Sequence, residues 1–138
     1  MERTFLMIKP DGVERRLIGE VISRIEIKGF RMVAIKMLMI SEKLAKEHYA
    51  EHVEKPFFHE MLSFITSGPV VAMVWEGDNA IKSIRELMGA TDPAQSKPGT
   101  IRGDLGESIS RNVVHGSDSP TAAEREISLF FDSNELLD

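Results

Sequence analysis

The segment Asn112-Val113-Val114-His115-Gly116-Ser117-Asp118-Ser119 joins residue types that phosphate chemistry uses. A histidine stands where an apolar strand stops, just ahead of a helix start at Ser119-Pro120. Near neutral pH an imidazole can present an unprotonated nitrogen as a nucleophile. Gly116 leaves room beside the ring. The helix start offers free N–H groups and a positive dipole end, which suit phosphate. On spacing alone the same residues also fit a polar closure of a strand, and both readings stand at this point. Lys9 ends the first strand, Arg85 lies beside an apolar helix stripe, and Arg102 lies in a long glycine-containing loop. Each alone reads as a solvated or snorkelling cation. Together they would give an anionic substrate positive charge in an otherwise acidic chain.

Other motifs compete for attention. His48-Tyr49-Ala50-Glu51-His52 fits a His-x-x-Glu-His pattern, in which two histidines one helical turn apart share a face and bind zinc. A zinc hydrolase built on His48 and His52 is therefore a rival reading. Lys28-Gly29-Phe30 begins like an RNA-recognition strand, but Arg31, Met32 and Ile35 stand where a small residue and stacking aromatics are needed. The chain has neither a P-loop nor Gly-x-Gly-x-x-Gly, and it lacks the protein-kinase signatures. Any nucleotide chemistry must run by another route.

The elements that would position these residues follow from periodicity. Phe5–Ile8 is a short apolar strand closed by Pro10-Asp11-Gly12, which reads as a turn. Ile18, Val21, Ile22 and Ile25 mark one helix face, with Gly29 just past its end. Residues 30–40 form a second strand. Ser41 caps a helix to about Ala50, and Pro56 opens another to about Ile65. Val70–Trp75, almost wholly apolar, is a buried central strand. Asp78 caps a helix bearing Ile81, Ile84, Leu87 and Met88. A long loop spans roughly 90–111 and is expected to be functional or to hold short helices. Residues 112–115 form the last strand, and a helix capped by Ser119 runs to about Phe131. This βαββαβ order predicts an α+β, ferredoxin-like fold: a four-stranded antiparallel sheet with helices packed on one face.

Composition narrows the classes. A chain of 138 residues predicts a single domain over 1–138. It has no cysteine, which excludes disulfides, thiolate metal sites and a cysteine nucleophile. Its net charge of −5 argues against a general nucleic-acid binder. The Val70–Trp75 run is too short to span a bilayer, and the apolar start Phe5–Ile8 is too short for a signal-peptide core. A cytoplasmic protein with no membrane partner is expected.

These residues resemble the nucleoside diphosphate kinases. The matching segments are Thr4–Gly12, Glu47-His48-Tyr49, Lys55-Pro56-Phe57-Phe58, Ser67–Gly77, Asp92-Pro93, Ser96–Asp104 and Asn112–Ser119, which run through nearly the whole chain. The resemblance implies transfer of a γ-phosphoryl group from a nucleoside triphosphate, chiefly ATP, to a nucleoside diphosphate by a ping-pong route through phosphohistidine. It implies that His115 is the nucleophile and that Glu126 and Ser117 orient its ring. Lys9, Tyr49, Arg85, Thr91, Arg102 and Asn112 would hold phosphates and sugar, and Phe57 would stack on the base. Magnesium would arrive with the nucleotide. The resemblance further implies a homo-oligomer, with a hexamer expected and a tetramer as the other family assembly. Met61 and Ile109 stand where many relatives have leucine and valine, which bears on the shape of the base slot. A catalytically silent nucleotide-binding regulatory module is the alternative function. The presence of His115, Lys9 and Arg102 together argues against it.

Overall fold

The computed structural model describes residues 1–138. In chain order the elements are β1 (Glu2–Ile8), α1 (Pro10–Glu14), α2 (Ile18–Ile27), β2 (Arg31–Leu38), α3 (Glu42–His48), α4 (Phe58–Ile65), β3 (Val70–Gly77), α5 (Ala80–Met88), α6 (Ile101–Leu105), β4 (Val114–Gly116) and α7 (Pro120–Phe130). Single 3-10 turns lie at Ala50–His52, Pro93–Gln95 and Ser133–Glu135. The sheet order is β2-β3-β1-β4, and every neighbouring pair is antiparallel. This is the ferredoxin-like arrangement, with β1, α2, β2, β3, α5 and β4 as its six core elements.

Helices cover both faces of the sheet rather than the expected one. Successive side chains on a strand point to opposite faces. Phe5 and Met7 of β1 join Ala72 and Val74 of β3 in one cluster, closed by Ala45 of α3, Ile65 of α4 and Phe130 of α7. Leu6 and Ile8 join Val71, Met73 and Trp75 in a second cluster, closed by Val21 and Ile25 of α2, Ile84 and Met88 of α5, and Ile101 of α6. The near-continuous apolar run of β3 is the sequence trace of burial on both sides.

Three local expectations change. Pro10-Asp11-Gly12 is not a free turn but the start of α1, with Pro10 in its first turn and Asp11 buried. Proline suits that position because its missing N–H has no helical partner there. Asn79, not Asp78, holds the N-cap position of α5, in left-handed backbone at φ 51°. A carboxylate from β1 serves this helix start instead: Ile81 N–H donates to Glu2 Oε1 at 2.9 Å. β4 begins at Val114 rather than Asn112, because Val113 takes φ 75° and Val114 N–H donates back to Asn112 O at 2.9 Å.

The stretch 90–111 is tightly folded. Asp92 caps the Pro93–Gln95 turn through Ala94 N–H, and Thr100 caps α6 through Gly103 N–H. Gly89, at φ 90°, ends α5 where a Cβ would lie 2.7 Å from Thr100 Oγ1. A larger residue there would push α6, and with it Arg102, away from the sheet. No helix is long and apolar enough to cross a membrane.

Candidate active site

The site forms around the edge strand β4. The register pairs His115 with Met7, so its ring lies on the face covered by α3 and α7. Glu126 of α7 is buried and reaches back to it: His115 Nε2 lies 3.1 Å from Glu126 Oε1. Ser117 Oγ donates to the same oxygen at 2.7 Å. A carboxylate can only accept, so in the neutral ring Nε2 carries the proton and Nδ1 keeps the lone pair. Burial pushes the Glu126 carboxyl up, but hydrogen bonds and charge from His115, with the Ser117 bond, hold it below its usual value. It therefore stays an acceptor at neutral pH. Gly116 does not serve the imidazole as expected. A Cβ there would lie 2.5 Å from Met88 Sδ, on the opposite face. Glycine at this position lets α5 close on β4.

The cations come round the strand edge from the other face. Arg102 Nη2 donates to Val114 O at 2.7 Å and Nη1 to Gly89 O at 3.3 Å. Arg85 Nη1 donates to Gly116 O at 3.3 Å. Lys9 Nζ donates to Asn112 Oδ1 at 2.8 Å and to Ser110 O at 3.1 Å, and lies 5.4 Å from the centre of the Phe64 ring. Asn112 in turn donates to Thr91 O at 2.9 Å. Lys9, Arg85 and Arg102 take part in no ion pair with a carboxylate. They are near enough to disturb one another. Burial first, then repulsion from Arg85, lowers the Arg102 guanidinium to about 10. Burial lowers Lys9 to about 8; Asp11 opposes the shift and Arg102 adds to it. Arg85 is exposed, but keeping the half-buried Lys9 and the buried Arg102 both charged is costly unless an anion joins them.

Tyr49 and Phe57 extend the site away from β4. Buried His48 packs edge-on to His115, with ring centres 4.7 Å apart, and Tyr49 lies 4.7 Å from His48. His52 follows at 6.1 Å from Tyr49, and Phe57 at 5.8 Å from His52. Burial raises the Tyr49 phenol to about 12, so it remains a donor. The structure thus gathers His115, Glu126, Ser117, Lys9, Asn112, Arg85 and Arg102 along β4. Thr91 meets them through its backbone, and a row of rings runs from His115 through Tyr49 to Phe57 at its end.

The His48–His52 zinc reading fails on geometry. α3 ends at His48, and His52 belongs to the separate 3-10 turn, so the two do not share one helix face. His48, His115 and Glu126 do bring ligand atoms within 4.8 Å of one another. This set offers two nitrogens and one oxygen, and magnesium prefers an octahedron of oxygens. These three residues are no magnesium cage.

Sequence reasoning missed His48 as the partner of His115, Phe64 beneath Lys9, and Arg125. Arg125 donates to the backbone oxygens of Glu47 and His48 at 3.0 and 2.9 Å, fixing the end of α3. These contacts join residues far apart in the chain. The only signal was the placement of His48 beside Tyr49.

The nucleoside diphosphate kinase family model matches residues 2–136. The chain belongs to the nucleoside diphosphate kinase family. A nucleoside diphosphate kinase of Archaeoglobus fulgidus is 64% identical over 137 residues, which are 99% of this chain and 91% of that one. That of Halalkalibacterium halodurans is 61% identical over 136 residues, 99% and 92% of the two chains. Among solved structures, a halophilic nucleoside diphosphate kinase of Halobacterium salinarum in complex with CDP has a TM-score of 0.97 at 59% identity, covering 99% of this chain and 91% of that one. A family member from Babesia bovis also reaches 0.97, at 47% identity, covering 100% and 93%. Family and fold together support a phosphotransfer kinase.

Proposed function

We propose that this chain moves the γ-phosphoryl group of a nucleoside triphosphate, chiefly ATP, to a nucleoside diphosphate through phosphohistidine at His115 Nδ1. The observation that carries this is the Ser117–Glu126–His115 relay, which commits the proton to Nε2 and leaves Nδ1 free. In the first half-reaction the Nδ1 lone pair forms a bond to the γ-phosphorus. The bond to the β-phosphate bridging oxygen breaks, and the diphosphate leaves with that electron pair. The ring becomes cationic, and Glu126 stabilises it through the Nε2–H. In the second, a terminal β-phosphate oxygen of the acceptor takes the phosphoryl group, and the P–N bond breaks.

Lys9, Arg85 and Arg102, with Tyr49, Thr91 and Asn112, hold phosphates and sugar in this reading. Phosphoryl transfer leaves positioning and charge stabilisation as the main work. Magnesium arriving with the nucleotide would supply further charge neutralisation. Phe57 is 46% exposed and offers a ring face, which all bases can share. Purine and pyrimidine diphosphates should therefore react at similar rates. The CDP bound by the Halobacterium relative agrees with a pyrimidine acceptor.

In this reading the protein works in the cytoplasm as a homohexamer, with a tetramer as the alternative. The exposed Ile35 and Met37 of the sheet-edge strand β2, with Met39 just past its end, support self-association. Solution mass decides between the two assemblies. Initial rates with ATP and each diphosphate test the mechanism. Parallel double-reciprocal lines are expected. Converging lines would require a ternary complex and overturn the phosphoenzyme, and nucleotide binding without turnover would favour the silent regulatory module.

A further inference from the structure

Val113 is the strained residue of the site. It is fully buried and β-branched, yet its φ is 75°. Left-handed backbone crowds Cβ against the carbonyl, and for a β-branched residue it is a genuine outlier. With Val114 N–H donating to Asn112 O at 2.9 Å, residues 112–114 form a γ-turn of positive φ, a rare and strained kind. Asn112, which holds Lys9, stands on one side of this turn, and His115 stands two residues beyond its centre.

Both peptide groups of Val113 are held from the start of the chain. Lys9 N–H donates to Val113 O at 2.8 Å, and Val113 N–H donates to Asp11 Oδ2 at 3.0 Å. Asp11 is 1% exposed, and its other oxygen has no partner. Gly12 lets α1 come this close, since a Cβ there would lie 2.7 Å from Ile8 Cγ2 and 3.1 Å from Val113 O. A buried carboxylate spent on one backbone N–H is an expensive choice unless that N–H must be held.

We propose that Asp11 is a positioning residue: it clamps the Val113 γ-turn and thereby fixes where β4 presents His115 and Asn112 to the phosphates. This rests on His115 being the nucleophile, as read above. Without the clamp the turn relaxes, and a displacement near 1 Å at a reacting group costs about 10²-fold in rate.

The test is the single-turnover rate of phosphoenzyme formation with Mg-ATP, measured below the melting point of every variant. Wild type reacting at His115 establishes the underlying reading; its failure to react would sink that reading rather than the clamp alone. Asp11→Ala should slow the step at least about tenfold. Asp11→Asn keeps an oxygen acceptor for Val113 N–H and should stay within about threefold of wild type. Glycine adopts φ near 75° without strain, so Val113→Gly removes the need for a clamp. Asp11→Ala in the Val113→Gly background should then match Val113→Gly alone, although lost packing lowers the melting point of both. An Asp11→Ala rate equal to wild type overturns the clamp, and so does a double variant as slow as Asp11→Ala. Should Asp11→Ala not fold alone, the double variant decides: folded and fast supports the clamp, unfolded or slow ends it.

Discussion

His115 stands among side chains tied by short hydrogen bonds: Ser117 to Glu126 at 2.7 Å, Lys9 to Asn112 at 2.8 Å, and Asn112 to the Thr91 backbone at 2.9 Å. Phe57, at the other end of the site, is half exposed and meets His52 ring to ring and Lys55 as a cation over its face. One end rests on the edge strand β4, where Val114 and Gly116 are buried and His115 is partly exposed. The other rests on short pieces between α3 and α4. The contrast matches what each end would have to discriminate in the proposed reaction. Phosphoryl transfer tolerates little misplacement, so its groups are pre-organised. A base that is only stacked presents a face common to all nucleotides, so loose placement costs little there. Strong selectivity would need buried polar groups aimed at base edges.

Substitutions at the two ends should therefore differ in size and in kind. Glu126→Gln keeps the shape but lets the ring adopt either tautomer. The rate of phosphoenzyme formation should fall about 10²- to 10⁴-fold with a small change in nucleotide affinity, as single-turnover kinetics would show. Arg102→Ala removes a buried charge that, in the proposed reaction, would stabilise the transferring group, and a loss of about 10²- to 10³-fold in kcat is expected. Phe57→Ala should raise KM about 5- to 100-fold, equally for purine and pyrimidine diphosphates, with kcat little changed. A base-dependent loss would mean that the exposed end reads base edges after all.

The smallest effect is in pH. Lys9 is lowered to about 8 from an ordinary value of 10.5, chiefly by burial. In the free protein its charge is lost as pH rises through about 8, so kcat/KM should fall on that limb. Lys9→Arg should carry the limb to higher pH. Stability runs the opposite way. Between about 8 and 10.5 the unfolded chain binds more protons than the folded one, so this group's contribution favours folding increasingly as pH rises across that window.

Much of this was legible in the chain. The 3.6-residue spacing of Ile18, Val21, Ile22 and Ile25 placed α2, and the unbroken apolar run of β3 placed a central strand. The Asn112–Ser119 segment drew attention to His115, and the structure brings Lys9, Arg85 and Arg102 to the same strand. What stayed hidden depends on contacts remote in sequence. A valine gives no warning of positive φ, since its shape argues against it. Pro-Asp-Gly reads as a turn until the rest of the fold pulls Asp11 inside. The sequence reads this helix to about Ala50; its earlier end at His48 sets that ring against His115 rather than on one face with His52. Helices on both faces of the sheet were implied by β3 itself, whose apolar residues do not alternate with polar ones.

A covalent phosphoryl group on His115 would show in the intact mass of the protein. Wild type and His115→Ala would be incubated briefly with Mg-ATP at neutral to mildly alkaline pH. One added phosphoryl group is expected on wild type alone, lost in acid and discharged at once by a nucleoside diphosphate. Unchanged mass while ATP demonstrably binds, or the same added mass on His115→Ala, would contradict the account.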